Sequence, residues 1–357
     1  MKLKINQKDL KEGFDKVCKC TGKGNNIYIL SGILMVAKNN QLCLKSTNLE
    51  YGMQVFLDCD IDIEGEVVIP GKEIHQFISK LPDSDIYIVK EKDKLKINNN
   101  NSKFVTECWN VKEFPEFKKV NKQEVLFDQK QLKDMFNKVA FAASKNDNNK
   151  PQLNGIKLLI ENKKIDVAAT NTYRLSCYSD DIDLDKNVDL IVPVKSIDVL
   201  VSLLEEGEVK IVFDNSFIEF NFNNISFQSR LISGEYPNYK QIIPENDDVS
   251  IKINVEQFKK SLERVLIVSE DIELSVVDKK INITNYDSGI DINEVIECET
   301  EGNQLKIIFD GNYLLDSIKN IKTISMNIYG KDELSPLLIK EENNNKWKYI
   351  IMPIRRV

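Results

Sequence analysis

An internal repeat with a period of 123 residues constrains this chain more than any other feature. Leu30-Ser-Gly-Ile33 recurs as Leu153-Asn-Gly-Ile156, and in both copies a Thr-Asn pair stands seventeen residues after the leucine. Pro70-Gly-Lys72 recurs as Pro193-Val-Lys195 at the same offset. Several matches in one register over so long a period indicate tandem copies of one structural domain.

A third copy is visible in the segment that opens each domain. These segments begin with residues whose side chains accept hydrogen bonds from the free amides of a first helical turn, namely Asn6, Asp128 and Asn254. An apolar stripe at helical spacing follows in each copy and starts at Leu10, Leu132 and Phe258. The repeat therefore predicts domains at residues 1–120, 121–246 and 247–357, each large enough to form its own core.

Between two helical segments, each copy carries short runs in which apolar and polar residues alternate. Examples are Gln41–Lys45, Lys164–Ala168 and Lys280–Thr284. Such runs predict antiparallel strands with one buried face. The sequence thus predicts an α+β fold with three tandem repeats of a domain in which two helices pack on an antiparallel sheet. Pairing of the free sheet edges would give an open array or a closed ring, and the sequence does not fix the rotation that decides between them.

The composition argues against most catalytic classes. The single histidine, His75, leaves little room for histidine-dependent triads or metal sites. The chain has seven cysteines, an odd number, and apart from Cys18 and Cys20 they are widely spaced, which indicates reduced thiols and no disulfide framework. The sequence shows no phosphate-cradling glycine loop, serine elbow or metal-ligand cluster. We therefore predict a non-enzymatic protein without a metal or cofactor. The absence of a signal peptide and of a membrane-length apolar run predicts a cytoplasmic location.

Several segments resemble the bacterial sliding clamps, the DNA polymerase III beta subunits. The second-domain segments are Leu153-Asn-Gly, Ala169-Thr-Asn-Thr-Tyr-Arg-Leu175 and Ser229–Tyr239 with Ile242-Ile-Pro244. The end of the chain, Tyr349-Ile-Ile-Met-Pro-Ile-Arg355, is similar to the C-terminal tail of the family. The similarity runs from end to end with the domain spacing preserved.

This resemblance implies a processivity factor with no catalytic reaction. Two chains would form a six-domain ring around duplex DNA, with helices lining the hole, and the ring would tether the replicative polymerase. The implied partners are double-stranded DNA, the DNA polymerase III alpha subunit, an ATP-driven clamp loader, repair proteins with a clamp-binding peptide motif, and a second copy of the chain.

The resemblance also implies a groove for partner peptides between the second and third domains. By position, its residues here are Leu153, Thr170, Arg174, Leu175, Pro237, Ile242, Ile350, Met352, Pro353, Ile354 and Arg355. Apolar walls with an adaptable methionine suit a groove that accepts several linear peptides. Asn171-Thr172 replaces the common Asp-Gly of the family, and Gln241 stands where an arginine can occur. Leu153, Leu175 and Ile350 are equally compatible with ordinary core packing.

A net charge of −7 requires any DNA contact to use a local basic face. Each opening helix repeats two cations away from its apolar stripe, and these are Lys11 and Lys16, Lys133 and Lys138, Lys259 and Arg264. On the inner wall of a ring they would attract phosphates without reading sequence, although exposed helical lysines are also ordinary. Loop contacts are expected from Lys23 and Lys150. The positions that match the dimer interface are Phe104, Ile267 and Val268.

Two other classes of protein stay open at this point. One is an enzyme assembled from repeated α+β domains, and the other is a repeat scaffold that binds proteins but never DNA. Salt-sensitive retention on circular but not linear DNA discriminates a ring from both. The sequence leaves open whether the chain is the replicative clamp or a paralogue.

Overall fold

In the computed structural model, the described residues are 1–22, 27–120, 123–244, 248–286 and 289–355. The chain divides into two compact units. Unit 1 contains Met1–Lys133 and Lys195–Leu231, and unit 2 contains Asp134–Val194 and Ile232–Val357. Across the described ranges, no helix combines the length and the apolar character that a membrane span requires.

The helices and strands follow the repeat. In chain order, the helices of the described ranges are α1 (Gln7–Val17), α2 (Gly71–Lys80), α3 (Gln129–Ala140), α4 (Val194–Val201), α5 (Val255–Val265) and α6 (Gly311–Ile318). The strands before residue 182 are β1 (Lys2–Asn6), β2 (Gly32–Lys38), β3 (Gln41–Thr47), β4 (Tyr51–Asp58), β5 (Asp60–Ile63), β6 (Gly65–Pro70), β7 (Asp85–Glu91), β8 (Lys94–Asn99), β9 (Ser102–Glu107), β10 (Gln123–Asp128), β11 (Gly155–Glu161), β12 (Lys164–Thr170) and β13 (Arg174–Asp181). The later strands are β14 (Val188–Pro193), β15 (Glu208–Phe213), β16 (Phe217–Phe222), β17 (Ile225–Arg230), β18 (Val249–Asn254), β19 (Asp271–Val277), β20 (Lys280–Asn285), β21 (Asn293–Glu297), β22 (Glu299–Gly302), β23 (Leu305–Asp310), β24 (Ser325–Gly330), β25 (Leu337–Glu341) and β26 (Asn344–Ile351).

The helix starts predicted from the sequence are confirmed. The Asn6 side chain accepts a hydrogen bond from the Lys8 amide at 2.8 Å, and Asn254 accepts one from the Gln257 amide at 3.0 Å. Asp128 does the same for the amide of Gln131 at 2.9 Å. The predicted apolar stripes are buried, as at Leu10, Phe14 and Val17; Leu132, Phe136 and Val139; and Phe258, Leu262 and Val265. Each such side chain contributes about 1.5–3 kcal/mol through its removal from water.

The strands form antiparallel sheets inside each unit. In unit 1 the sheet orders are β5-β1-β7-β8-β9 and β10-β15-β16-β17-β4-β3-β2-β6. In unit 2 they are β14-β11-β12-β13-β26-β25-β24-β18-β22 and β21-β20-β19-β23. The mixed helix and sheet content agrees with the α+β prediction.

Two strand pairings join copies of the repeat. In unit 1, β4 of the first copy pairs with β17, the last strand of the second copy, so that Tyr51 lies opposite Ser229. In unit 2, β13 of the second copy pairs with β26, the last strand of the third, so that Arg174 lies opposite Ile351. We name these pairings joint A (β4 with β17) and joint B (β13 with β26).

Candidate functional site

A tight turn shapes the entrance to joint B. The Thr170 hydroxyl donates to the Arg174 carbonyl at 2.6 Å and accepts from the Thr172 amide at 3.1 Å. The Asn171 side-chain oxygen accepts from the amides of Tyr173 and Arg174 at 3.1 and 3.0 Å. Thr172 has φ +76°, a value that glycine adopts at less cost. Asn171-Thr172, which replaces the common Asp-Gly of the family, therefore still forms a closed turn, because the Asn171 side chain supplies the hydrogen-bond acceptor.

The floor of joint B is a buried apolar cluster. Leu175 lies opposite Ile350 across the two strands, and both are almost fully buried. The cluster contains Ala168, Leu175, Cys177, Tyr239, Leu338 and Ile350. Leu153 is also buried and lies in the short 3-10 helix Pro151–Asn154. Its own carbonyl accepts a hydrogen bond from the Ser144 amide at 2.9 Å. Leu175 and Ile350 therefore belong to the core beneath the joint, and Leu153 is a core residue as well.

The surface above this floor is formed by the chain end and one loop. The Met352 amide donates to the Tyr173 carbonyl at 2.9 Å, and the Ile354 amide donates to the Ile308 carbonyl at 2.9 Å. Met352 and Ile354 are half-buried, Pro353 is buried and Arg355 is exposed. From the loop, Pro237 is exposed and Ile242 has 43% of its surface exposed. Among the described residues, the accessible part of the predicted groove is therefore mainly apolar, with Arg355 as an exposed cation.

Arg174 stabilises joint B through buried contacts. Only 8% of its surface is exposed, and its guanidinium donates to the Asp316 carboxylate at 2.8 Å and to the Phe141 carbonyl. The same group lies over the Tyr313 ring, 4.4 Å from the centroid. Arg174 therefore holds β13 against α6 and offers little of its charge to a ligand.

Sequence reasoning missed two residues of this site. Tyr239 belongs to the buried cluster, and burial raises the pKa of its phenol well above the ordinary value. The second Glu-aromatic-Pro-x-aromatic motif, Glu235–Tyr239, was the available signal, since its copy Glu113–Phe117 occupies the same place in the first repeat. Asp316 carried no signal, because its partner Arg174 lies 142 residues earlier.

The cations predicted to contact DNA differ in their exposure and in whether they already pair with another group of the chain. Lys11 pairs with Asp15, Lys16 with Glu12, and Arg264 with Glu294. The Lys133 ammonium donates to the Leu204 carbonyl at 2.7 Å. Lys259 is half-buried, Lys150 is exposed, and Lys23 lies outside the described residues. Most of these cations are therefore accompanied by an acceptor of the chain itself.

Lys138 requires a correction. Its ammonium is buried, contacts the Glu341 carboxylate and the Asn320 carbonyl, and lies 4.8 Å from the centroid of the Trp347 ring. Burial lowers the pKa of Lys138 despite the attraction of its partner. Burial would raise the pKa of Glu341, but hydrogen bonds from Lys138 and the Lys322 amide hold it below its ordinary value. This lysine joins α3 to β25, and its burial removes it from the surface that phosphates could reach.

The three residues assigned to a dimer interface lie near free sheet edges. Phe104 is half-buried on β9 and packs against Phe77 with ring centroids 5.0 Å apart. Ile267 has 80% of its surface exposed, just after α5, and Val268 is half-buried. Two edge strands of the sheets, β9 in unit 1 and β21 in unit 2, each have a side without a partner strand among the described residues.

Potential metal ligands and thiols are the remaining reactive groups of the described residues. Within the described ranges, no group of three or more His, Cys, Asp and Glu side chains is placed to hold a metal ion. All seven cysteines are free thiols. Burial raises the pKa of Cys18 to about 12, which keeps its thiol protonated and unreactive at neutral pH.

Comparisons with known proteins cover the whole chain. Family models of the DNA polymerase III beta subunit match as the N-terminal domain at residues 1–118, the central domain at 126–238 and the C-terminal domain at 240–355. The beta sliding clamp of Staphylococcus aureus strain Mu50 is 26% identical over 357 residues, with 94% of each chain covered. The beta sliding clamp of Staphylococcus epidermidis strain RP62A is also 26% identical with the same coverage.

Solved structures agree with this result. The DNA polymerase III subunit beta of Pseudomonas aeruginosa superposes with a TM-score of 0.95 over 100% of both chains at 26% identity. Another structure of the Pseudomonas aeruginosa sliding clamp, bound to griselimycin, has the same similarity. The fold and the two joints define a clamp built from three tandem domains. The chain belongs to the DNA polymerase III beta subunit family, the sliding clamps of DNA replication.

Proposed function

We propose that this chain is a processivity factor that works as a homodimeric ring around duplex DNA. Its three domains would span residues 1–120, 121–246 and 247–357, and it would hold the replicative polymerase on DNA in the cytoplasm without catalysing a reaction. The observation that carries this proposal is the repetition of one strand pairing at joints A and B.

The repeat assigns an equivalent to every strand of a joint. In the meanders β2-β3-β4, β11-β12-β13 and β19-β20-β21, the third strands are equivalent. The strands β9, β17 and β26 are equivalent as the last strands of their copies. Since β4 pairs with β17 and β13 pairs with β26, a third joint would pair β21 with β9. A second copy of the chain can supply each missing strand, and two such joints would close a dimer.

Exposed apolar side chains at these two edges support a third joint. Ile267 is 80% exposed, Val295 on β21 is 53% exposed and Val105 on β9 is 44% exposed. Free strand edges with apolar side chains invite pairing with another chain. An Ile267→Glu substitution should convert the dimer to a monomer in light scattering. Ile324→Glu, at a position that is also 80% exposed, is the matched control and should stay dimeric.

If the Ile267→Glu variant kept the dimer mass of the parent, this assignment of the interface would be contradicted.

We propose that the DNA contacts of the ring come from the lining cations Lys11, Lys16, Lys133, Lys259 and Arg264, with Lys150 at a loop. Because several of them are paired with acids, each would contribute a modest, salt-sensitive attraction to phosphate.

We further propose joint B as the groove for clamp-binding peptides of the DNA polymerase III alpha subunit, the clamp loader and repair proteins. The apolar surface of Ile242, Met352 and Ile354 above a buried floor supports this assignment. The griselimycin complex of the Pseudomonas aeruginosa clamp supports a ligand site on this fold. Affinity for each peptide should be modest and strengthened by the shared DNA tether.

The groove assignment is tested with a labelled peptide from the polymerase subunit of the same organism. Ile242→Glu should weaken its binding at least tenfold, because a carboxylate replaces apolar contact area at the groove. Leu126→Glu changes an exposed apolar residue of unit 1 in the same way and should bind the peptide as the parent does. Equal binding by both variants would place the groove elsewhere.

A further inference from the structure

Joint A repeats the turn of joint B almost atom for atom. The Thr47 hydroxyl donates to the Tyr51 carbonyl at 3.0 Å and accepts from the Leu49 amide at 3.0 Å. The Asn48 side-chain oxygen accepts from the amides of Glu50 and Tyr51 at 3.0 and 2.9 Å. Leu49 has φ +75°, one degree from the value at Thr172. Unit 1 therefore contains the same local frame that supports the candidate groove of unit 2.

The side chains in this frame differ between the joints. At positions related by 122 or 123 residues, Gly52 stands in place of Leu175, Gln228 in place of Ile350, and Arg230 in place of Met352. A Cβ on Gly52 would approach the Phe117 ring to 2.8 Å, so glycine allows this ring to lie against the strand. Joint A thus exchanges an apolar floor for a polar one.

A cavity of about 230 Å³ opens at joint A. Its walls include Leu49, which is 45% exposed, and the half-buried rings of Phe117 and Phe217. The exposed Arg230 guanidinium lies over the Phe217 ring, 5.8 Å from the centroid. The side chain of the buried Gln228 forms two hydrogen bonds to the backbone of Lys118. Its nitrogen donates to the Lys118 carbonyl at 2.7 Å and its oxygen accepts from the Lys118 amide at 3.2 Å, which fixes the backbone at that rim.

The charged side chains that line the cavity indicate which ligand would be complementary to it. Within the described ranges, neither Lys118 nor Arg230 forms an ion pair, and both are exposed. A carboxylate placed between them would gain charge-assisted hydrogen bonds, and arginine favours carboxylates through its planar fork. Glu50 and Glu116 also line the cavity and would repel a run of several acids. The complementary ligand carries one carboxylate next to apolar side chains that contact Leu49 and Phe117.

We propose that joint A is a second peptide-binding site, for an extended segment of a partner protein in which one acidic residue is flanked by apolar residues. This site goes beyond the groove at joint B and does not depend on ring closure. It gives unit 1 a recognition surface whose preference differs from that of unit 2, because a cation and an amide replace methionine and isoleucine.

The test uses a fluorescein-labelled peptide, Ser-Leu-Asp-Phe-Ser, and fluorescence anisotropy with the full chain. Every protein carries Ile242→Glu so that joint B competes less for the probe. Arg230→Gln should weaken binding about tenfold, as expected for the loss of a charged hydrogen-bond donor. Arg355→Gln removes a cation at joint B and should leave binding unchanged. A probe with Asn in place of Asp should bind weakly and equally to the parent and to Arg230→Gln.

Equal binding of the acidic probe by the parent and by Arg230→Gln would overturn the proposal. A loss caused by Arg355→Gln alone would also overturn it, because the probe would then occupy joint B. Light scattering of each variant separates this result from the proposed function, since the dimer should persist in all of them.

Discussion

Replacing Glu341 by glutamine should destabilise unit 2 strongly. The Lys138 and Glu341 side chains are only 10% and 5% exposed. Glutamine keeps the shape of the side chain but removes the charge that compensates a buried ammonium. Breaking a buried pair in this way costs about 3–5 kcal/mol. For a unit of this size, each kcal/mol lowers the melting temperature by about 2–4 °C, so a decrease of roughly 6–20 °C is expected.

Tryptophan fluorescence can follow this effect in unit 2 alone. The Trp347 indole N–H donates to the Lys138 carbonyl at 3.0 Å and to the Ser176 hydroxyl at 2.9 Å. Trp109 belongs to unit 1, and a Trp109→Phe background leaves Trp347 as the sole tryptophan. Urea unfolding of this background, with and without Glu341→Gln, gives the difference in free energy of unfolding.

Two further variants make the result interpretable. Glu256→Gln breaks the exposed Lys260–Glu256 pair of unit 2, in which the glutamate is 64% exposed, and should cost less than about 1 kcal/mol. The double variant Lys138→Met with Glu341→Leu removes both charges and should recover most of the lost stability. The reasoning is refuted if Glu341→Gln is no less stable than Glu256→Gln, because the buried ammonium would then need no partner.

Three other predictions concern acid, Arg174 at joint B and DNA. Because the folded pKa of Glu341 lies below its ordinary value of 4.5, the ion pair stabilises the fold fully above that pH and is lost as the pH falls through the folded pKa. Urea midpoints between about pH 6 and pH 3 should therefore fall more steeply in the parent than in Glu341→Gln, and parallel curves would exclude this carboxyl as the cause. Asp316→Asn leaves the buried Arg174 guanidinium without its anion, so it should cost about 1–3 kcal/mol and weaken peptide binding at joint B, with Asp332→Asn as an exposed control. Lys259→Gln should reduce the slope of log affinity for DNA against log salt by about 2 per dimer, whereas Lys164→Gln on β12 should leave the slope unchanged.

The features that local pattern encodes could be predicted from the sequence. Helix starts at Asn6, Asp128 and Asn254 depend on neighbours within three residues, and the apolar stripes depend on helical period alone. The repeat also allowed the domain organisation to be predicted, because three copies of one pattern indicate the same domain three times. The family resemblance then supplied the function that these patterns do not contain.

Long-range packing could not be predicted in the same way. Lys138 sits off the apolar stripe of α3, where a helix surface is normally exposed, yet a carboxylate 203 residues later covers it. Arg174 was expected at a ligand surface, but Asp316 holds it inside. Both misreadings have one cause, since a side chain at the edge of a domain is buried or exposed according to what the next domain places against it.

The most direct test of the ring is retention on DNA of defined topology. The chain, loaded onto nicked circular DNA by the clamp loader of the same organism, should form a particle of about twice 41.1 kDa that stays on circles. It should be released when the circle is cut once, because a ring slides off free ends. A monomer, or a complex that remains bound after linearisation, would contradict encirclement and leave a protein that binds the DNA surface.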